Sequence, residues 1–172
     1  MDFVAIRLAK KGDAKGVIAY RNELMKKGFG KYLSRNWILG ANDTRRYGRT
    51  YAAGKKNELI FVAVDKRTGK IVGNCSFFAE DRGRTRHRGK LGWAVSPTYF
   101  KKGIATKLVN ATLKEAKRRG FTRAEAEAAV KNVASVRLAK KCGFKIEGRR
   151  KNGLLLDDGG YADTYLFGKI LR

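Results

Sequence analysis

The chain has 172 residues, 43% of them apolar, enough for one full hydrophobic core and too few for two ordinary domains, so a single domain over residues 1–172 is expected. Forty Lys and Arg against 15 Asp and Glu give a formal charge of +25, which implies either a polyanionic partner such as ribosomal RNA or a host whose solvated surfaces are basic throughout. No apolar run is long enough to span a bilayer and residues 1–3 open no secretory signal, so no membrane partner and a soluble, cytoplasmic protein are expected.

Residues 3–8 read as a first strand. Asp13 is placed to cap a helix running to about Lys27, with Val17, Ile18, Tyr20, Leu24 and Met25 apolar. Residues 31–53 are helical in part. Residues 58–64 and 71–78 are β-rich and flank a turn at 65–70, giving a hairpin, and residues 88–95 make a fourth strand. Between the third and fourth strands runs Arg82-Gly83-Arg84-Thr85-Arg86-His87-Arg88-Gly89-Lys90. Extended, it aims five cations at one side, able to hold phosphate or an acidic peptide; otherwise it is a solvated loop.

The next stretch is the most specific. Val95-Ser96-Pro97-Thr98-Tyr99-Phe100-Lys101-Lys102-Gly103-Ile104-Ala105-Thr106 joins a strand end to a glycine turn that opens a helix. Helix N-termini carry unpartnered N–H groups and the positive end of the dipole, so such a turn suits a diphosphate. Ile104, Leu108, Val109, Thr112, Leu113 and Ala116 form one apolar face, and Gly120 supplies a left-handed cap. A strand at about 122–130 leads to a second helix, Asn132-Val133-Ala134-Ser135-Val136-Arg137-Leu138-Ala139-Lys140-Lys141-Cys142-Gly143-Phe144, and the tail supplies two strands joined around Asp157-Asp158-Gly159-Gly160. The order gives a mixed α/β fold with a mostly antiparallel sheet of about six or seven strands flanked by helices, parallel only at the helix crossovers.

From Leu91 to Phe144 the chain resembles the GCN5-related N-acetyltransferase (GNAT) family, through its V-x-P strand end, its x-x-x-G-x-A turn and its N-x-x-S-x-x-x-A-x-K-x-G-F helix. The resemblance implies that acetyl-CoA binds here as the acetyl donor. Backbone of Trp93, Ala94 and Val95 would hold the pantetheine and thioester. The turn of Lys101, Lys102, Gly103, Ile104, Ala105 and Thr106 would hold the pyrophosphate, and Asn132 would touch the pantetheine arm or cap its helix. The lead-in Leu91-Gly92-Trp93-Ala94-Val95 and the tail Tyr161-Ala162-Asp163-Thr164-Tyr165-Leu166-Phe167 look most like ribosomal-protein N-terminal alanine acetyltransferases. By that likeness Glu127 matches the general base, with Glu80 and Asp81 as rivals acting through water.

Two positions depart from the family pattern. Phe100 stands where the family has Arg or Gln, leaving Lys101, Lys102 or backbone to meet the phosphates. Ala139 stands where the family has the tyrosine that protonates the thiolate, which leaves Tyr161, Tyr165 or solvent as the acid. Cys75 and Cys142 lack metal or redox spacing and His87 is the lone histidine, so no metal is expected and both thiols read as buried. Three functions fit: an N-acetyltransferase for protein or peptide N-termini, a small-molecule amine acetyltransferase, or a CoA- or RNA-binding module without catalysis. An α-amine of pKa about 8 is partly neutral at pH 7 whereas a lysine near 10.4 is not, which favours the first.

Overall fold

The computed structural model describes residues 3–33, 40–53, 57–80 and 83–172. Its elements are β1 (Val4–Leu8), α1 (Ala14–Lys26), α2 (Ala41–Ala53), β2 (Glu58–Asp65), β3 (Ile71–Ala79), β4 (Arg88–Val95), α3 (Ile104–Arg118), β5 (Arg123–Ala129), α4 (Val133–Lys141), β6 (Lys145–Leu155) and β7 (Tyr161–Ile170). They form one seven-stranded sheet in the order β1-β2-β3-β4-β5-β7-β6. Only the β4–β5 pair, bridged by α3, is parallel. The mostly antiparallel α/β sheet read from the sequence is therefore the observed one.

Alternation along the strands divides the core. Leu59, Cys75, Phe77, Leu91, Ala124 and Phe167 pack with Leu108, Val109 and Ala116 of α3 and Ala139 of α4. On the opposite face Ile60, Val62, Ile71 and Ala94 pack against Val17, Tyr20 and Leu24 of α1, with Tyr47 of α2 at the border. Leu108 and Val109 are fully buried, each stabilising the fold by roughly 1.5–3 kcal/mol relative to exposure. The α3 cations Lys107, Lys114, Lys117 and Arg118 are exposed, as the helical spacing requires. No helix of the described residues is long and apolar enough to cross a membrane.

Two local expectations are corrected. Asp13 does not cap α1: its carboxylate accepts the Lys10 N–H at 2.8 Å and a bidentate pair from Arg7 at 2.6 and 2.9 Å, closing a single 3-10 turn ahead of the helix. The basic run is extended only from Arg88, where β4 begins. Gly83 has φ of 42° and starts a 3-10 turn over Gly83–Thr85, and Arg88 pairs with Glu80 and Glu125. Arg82 lies outside the described residues.

Candidate active site

The β4–β5 ladder runs from Arg88–Arg123 to Leu91–Ala126 and stops. Beyond it, Gly92–Val95 keep their partners on β3, with Trp93 opposite Cys75, Ala94 opposite Asn74 and Val95 opposite Gly73. The edge facing β5 is left without a strand, and N–H and C=O groups there need another partner. Trp93 is half-buried at this opening, while Ala94 and Val95 are buried beside it. Burial pushes the neighbouring Cys75 thiol up to about 12, so it is not a nucleophile near neutral pH.

Past the end of β4 the chain makes a 3-10 turn over Pro97–Tyr99 and reaches the glycine turn. Lys101 and Gly103 both have positive φ, 59° and 72°, and Gly103 is the N-cap of α3. Nothing lies within 4 Å of a Cβ built on Gly103, so the glycine is there for its backbone and not for space. The Lys107 N–H makes the first intrahelical hydrogen bond, donating to Gly103 O at 3.1 Å. The N–H groups of Ile104, Ala105 and Thr106 precede it at the positive end of a 15-residue helix dipole. Ile104 buries its side chain in the core and so anchors the turn, while Ala105 and Thr106 are half-buried.

A buried carboxylate supports this turn from beneath. Asp65 accepts hydrogen bonds from Arg67 and, at 2.6 Å, from the Tyr99 hydroxyl, and these hold it well below the usual carboxylate range, Arg67 contributing most. The Lys102 ammonium stands 5.1 Å from the Tyr99 ring centroid and 5.7 Å from that of Phe3, which keeps its charge at the turn. Phe100 instead turns its ring to Phe29, edge to face at 5.3 Å, with both rings substantially exposed.

A cavity of about 790 Å³ opens from the β4–β5 gap onto the α1 face of the sheet. Ser76, Phe78, Lys90 and Gly92 floor it, Glu125 and Glu127 line its β5 side, and Tyr32 and Tyr47 approach from the helical layer. Among the described residues, four acidic and five basic side chains reach this lining, although basic residues outnumber acidic ones 40 to 15 in the chain. The cavity is thus nearly charge-balanced inside a strongly cationic molecule.

Its carboxylates differ in their engagement. Glu125 takes Arg88 at 3.2 Å and Arg123 at 2.8 Å, and Arg123 also binds Glu147. Glu80 has Arg88 at 3.8 Å and the Thr85 hydroxyl at 3.4 Å. Glu127, the first β5 residue past the end of the ladder, receives Arg150 Nη1 at 2.8 Å on both oxygens and the Thr164 hydroxyl at 2.5 Å on Oε1. Asp81 lies outside the described residues.

The other sequence-read residues fall as follows. Asn132 lines the cavity and also caps α4, its side-chain oxygen accepting the Ser135 N–H at 3.2 Å. Ala139 is sealed in the core. Tyr165 packs edge to face on Phe167 at 6.2 Å, and Tyr161 is 62% exposed at the start of β7; neither is among the residues lining the cavity. Sequence reasoning did not find Arg150, Thr164, Tyr32 or Tyr47, which reach the site only through the strand order and the helical layer.

The geometry has known counterparts. The model of the acetyltransferase (GNAT) family matches residues 23–144. Among solved structures, an acetyltransferase of the GNAT family from Streptococcus pneumoniae is 27% identical with a TM-score of 0.86, over 97% of this chain and 99% of that one. The ribosomal-protein-S5-alanine acetyltransferase from Vibrio fischeri is 23% identical, TM-score 0.85, over 100% and 95%. The protein yncA from Salmonella typhimurium, solved with its cofactor acetyl-CoA, is 21% identical, TM-score 0.85, over 98% and 94%. No curated protein sequence matches the chain.

Proposed function

Because the chain belongs to the acetyltransferase (GNAT) family, we propose that it transfers an acetyl group from acetyl-CoA to the α-amine at the N-terminus of a protein or peptide. The observation that carries the reading is a cavity at the open β4 edge whose lining joins Trp93, Glu127 and Asn132, with the helix-capping turn following from the end of β4. Residues and group fit: Trp93, Ala94 and Val95 offer the strand edge, Lys101–Thr106 the anion-binding turn, and Asn132 a polar group on the cavity wall.

Bound acetyl-CoA supplies an activated acyl group, its C–S bond breaking as the acceptor nitrogen bonds the carbonyl carbon. Glu127 takes the proton from the acceptor ammonium, leaving the nitrogen lone pair free to attack, and the second proton that the nitrogen sheds as the amide forms passes to solvent. Backbone N–H groups of the β4 edge offset the negative charge that develops on the carbonyl oxygen. Solvent protonates the departing thiolate, which is tolerable for a thiol of pKa about 8.5.

The charge balance of the cavity supports an amine acceptor, since a cationic ammonium must enter against a formal charge of +25. Imperfect acid–base machinery, with Ala139 in place of a tyrosine, favours an amine already partly neutral at pH 7. The exposed cations of α3 and of the remaining surface suit association with a polyanion such as ribosomal RNA, with affinity falling steeply as salt rises.

The test is acetylation, at one enzyme concentration, of a peptide, of its N-terminally blocked lysine-containing analogue, and of free amino acids and spermidine. A kcat/KM for the free peptide N-terminus at least about tenfold above the others is expected, some 1.4 kcal/mol of discrimination. Equal use of free amines assigns the chain to small-molecule acceptors, and absence of transfer with intact acetyl-CoA binding assigns it to a binding module.

A further inference from the structure

Strand β6 loses its register with β7 between Arg150 and Leu154, and the irregularity converges on Glu127. Within it Asn152 has φ of 51°, a left-handed conformation that asparagine tolerates better than most residues. Asp163 of β7 holds that conformation, accepting the Asn152 N–H at 2.9 Å and Arg149 Nε at 2.9 Å. The next residue, Gly153, lies directly over Thr164. A Cβ there would overlap Thr164 Oγ1 and meet its Cγ2 at 3.0 Å. The absent side chain is the space in which the Thr164 hydroxyl sits. Thr164 is 3% exposed and, being β-branched, stiff at χ1, so its donor is held on Glu127 Oε1. Arg150, at the other end of the irregularity, is half-exposed and donates to both carboxylate oxygens.

We propose that this bulge is a positioning device for Glu127: Thr164 and Arg150 fix the carboxylate from two directions, and Gly153 admits Thr164. The inference rests on the reading of Glu127 as the base. Thr164 occupies one lone pair of Oε1, and Arg150 holds the carboxylate plane, so Oε2 keeps a lone pair directed by the pair of contacts and not by free rotation. A carboxylate free to rotate samples the productive orientation less often, and misplacement of about 1 Å at a reacting group costs up to about 100-fold in rate. Thr164 and Arg150 are positioning residues that need not touch either substrate.

The experiment compares wild type, Thr164→Val, Thr164→Ser, Glu127→Gln and the Thr164→Val/Glu127→Gln double variant, using acetyl-CoA and a peptide acceptor. Thr164→Val is nearly isosteric and keeps the strand's β-branched side chain, and a Gly153→Ala variant, which displaces the hydroxyl without removing it, provides a second perturbation. Expected are a fall in kcat of about tenfold for Thr164→Val, an unchanged KM for acetyl-CoA, recovery to within about threefold in Thr164→Ser, and no further loss when Glu127 is already Gln. Thr164→Val activity within about twofold of wild type, or an equal loss in the Glu127→Gln background, overturns the proposal. Wild-type turnover in Glu127→Gln alone defeats the base reading itself and, with it, positioning through Glu127.

Discussion

Replacing Gly103 by Ala isolates the backbone of the turn proposed to hold the acetyl-CoA pyrophosphate from every other variable. The added Cβ meets nothing within 4 Å, so no steric clash contributes and the whole effect is conformational. At φ of 72° an L-residue carries a penalty of roughly 1–2 kcal/mol that glycine does not. If the alanine variant keeps the left-handed turn, that energy comes off stability, lowering the melting temperature by about 2–8 °C for a chain of this size. If the turn relaxes in the free protein, it must be re-formed for the pyrophosphate, and the same energy appears as a loss of acetyl-CoA affinity of about 5- to 30-fold. Calorimetric titration with acetyl-CoA beside thermal melts reads both arms, and the two losses together should account for about 1–2 kcal/mol. Gly103→Asn, which tolerates this region, should lose less in both. An alanine variant with the affinity and melting temperature of the parent would refute the claim that the left-handed turn builds the phosphate site.

Acid sensitivity follows from carboxylates whose folded pKa lies below its unfolded value. Asp65 is held down by Arg67 and Tyr99, and Glu115 sits at about 2 chiefly through hydrogen bonding to Arg118. Their contribution is present above the ordinary carboxylate pKa near 4 and is lost as pH falls below it. Melting temperature should therefore drop between about pH 4.5 and 2, with a shallower drop in Asp65→Asn, and an unchanged slope in that variant would remove Asp65 from the account. Ala139→Tyr, which restores the family residue, should destabilise by about 1–3 kcal/mol because Ala139 has no exposed surface and the core must move, as thermal melts would show. Cys75, buried with its pKa up at about 12, should resist a thiol reagent in the native protein at pH 8 and react on denaturation; ready native labelling would contradict its burial.

Much of this architecture is legible in the residues, for reasons that are local. The apolar period of residues 104–116 and the turn at Gly103 define α3 with its exposed N-terminus, and Glu125 and Glu127 reach one face because strand side chains alternate. Where recognition depends on distant partners the sequence is silent. Arg150 and Thr164 lie 23 and 37 residues from Glu127 and meet it because β7 inserts between β5 and β6, an order that no local pattern encodes. Tyr47 lies on α2, which is rich in Asn, Asp, Arg and Thr, and its place at the edge of the α1 layer depends on partners distant in sequence. Asp13 looked like a helix cap and serves Arg7 because a cationic side chain from β1 outcompetes the helix N–H groups for its carboxylate. The basic run joins β3 to β4 as a hairpin connection, as its place between two predicted strands implies, whereas the pairing of Arg88 with Glu125 joins residues far apart in sequence.

The most direct test of the central claim is mass analysis of a peptide incubated with acetyl-CoA and either the wild-type protein or Glu127→Gln, with fragmentation to locate the modification. Acetyl transfer confined to the α-amine, slowed in Glu127→Gln while acetyl-CoA affinity is retained, is the predicted result. Transfer that is unaffected by the substitution, or that falls on lysine side chains in preference to the N-terminus, would contradict the assignment of Glu127 and of the acceptor.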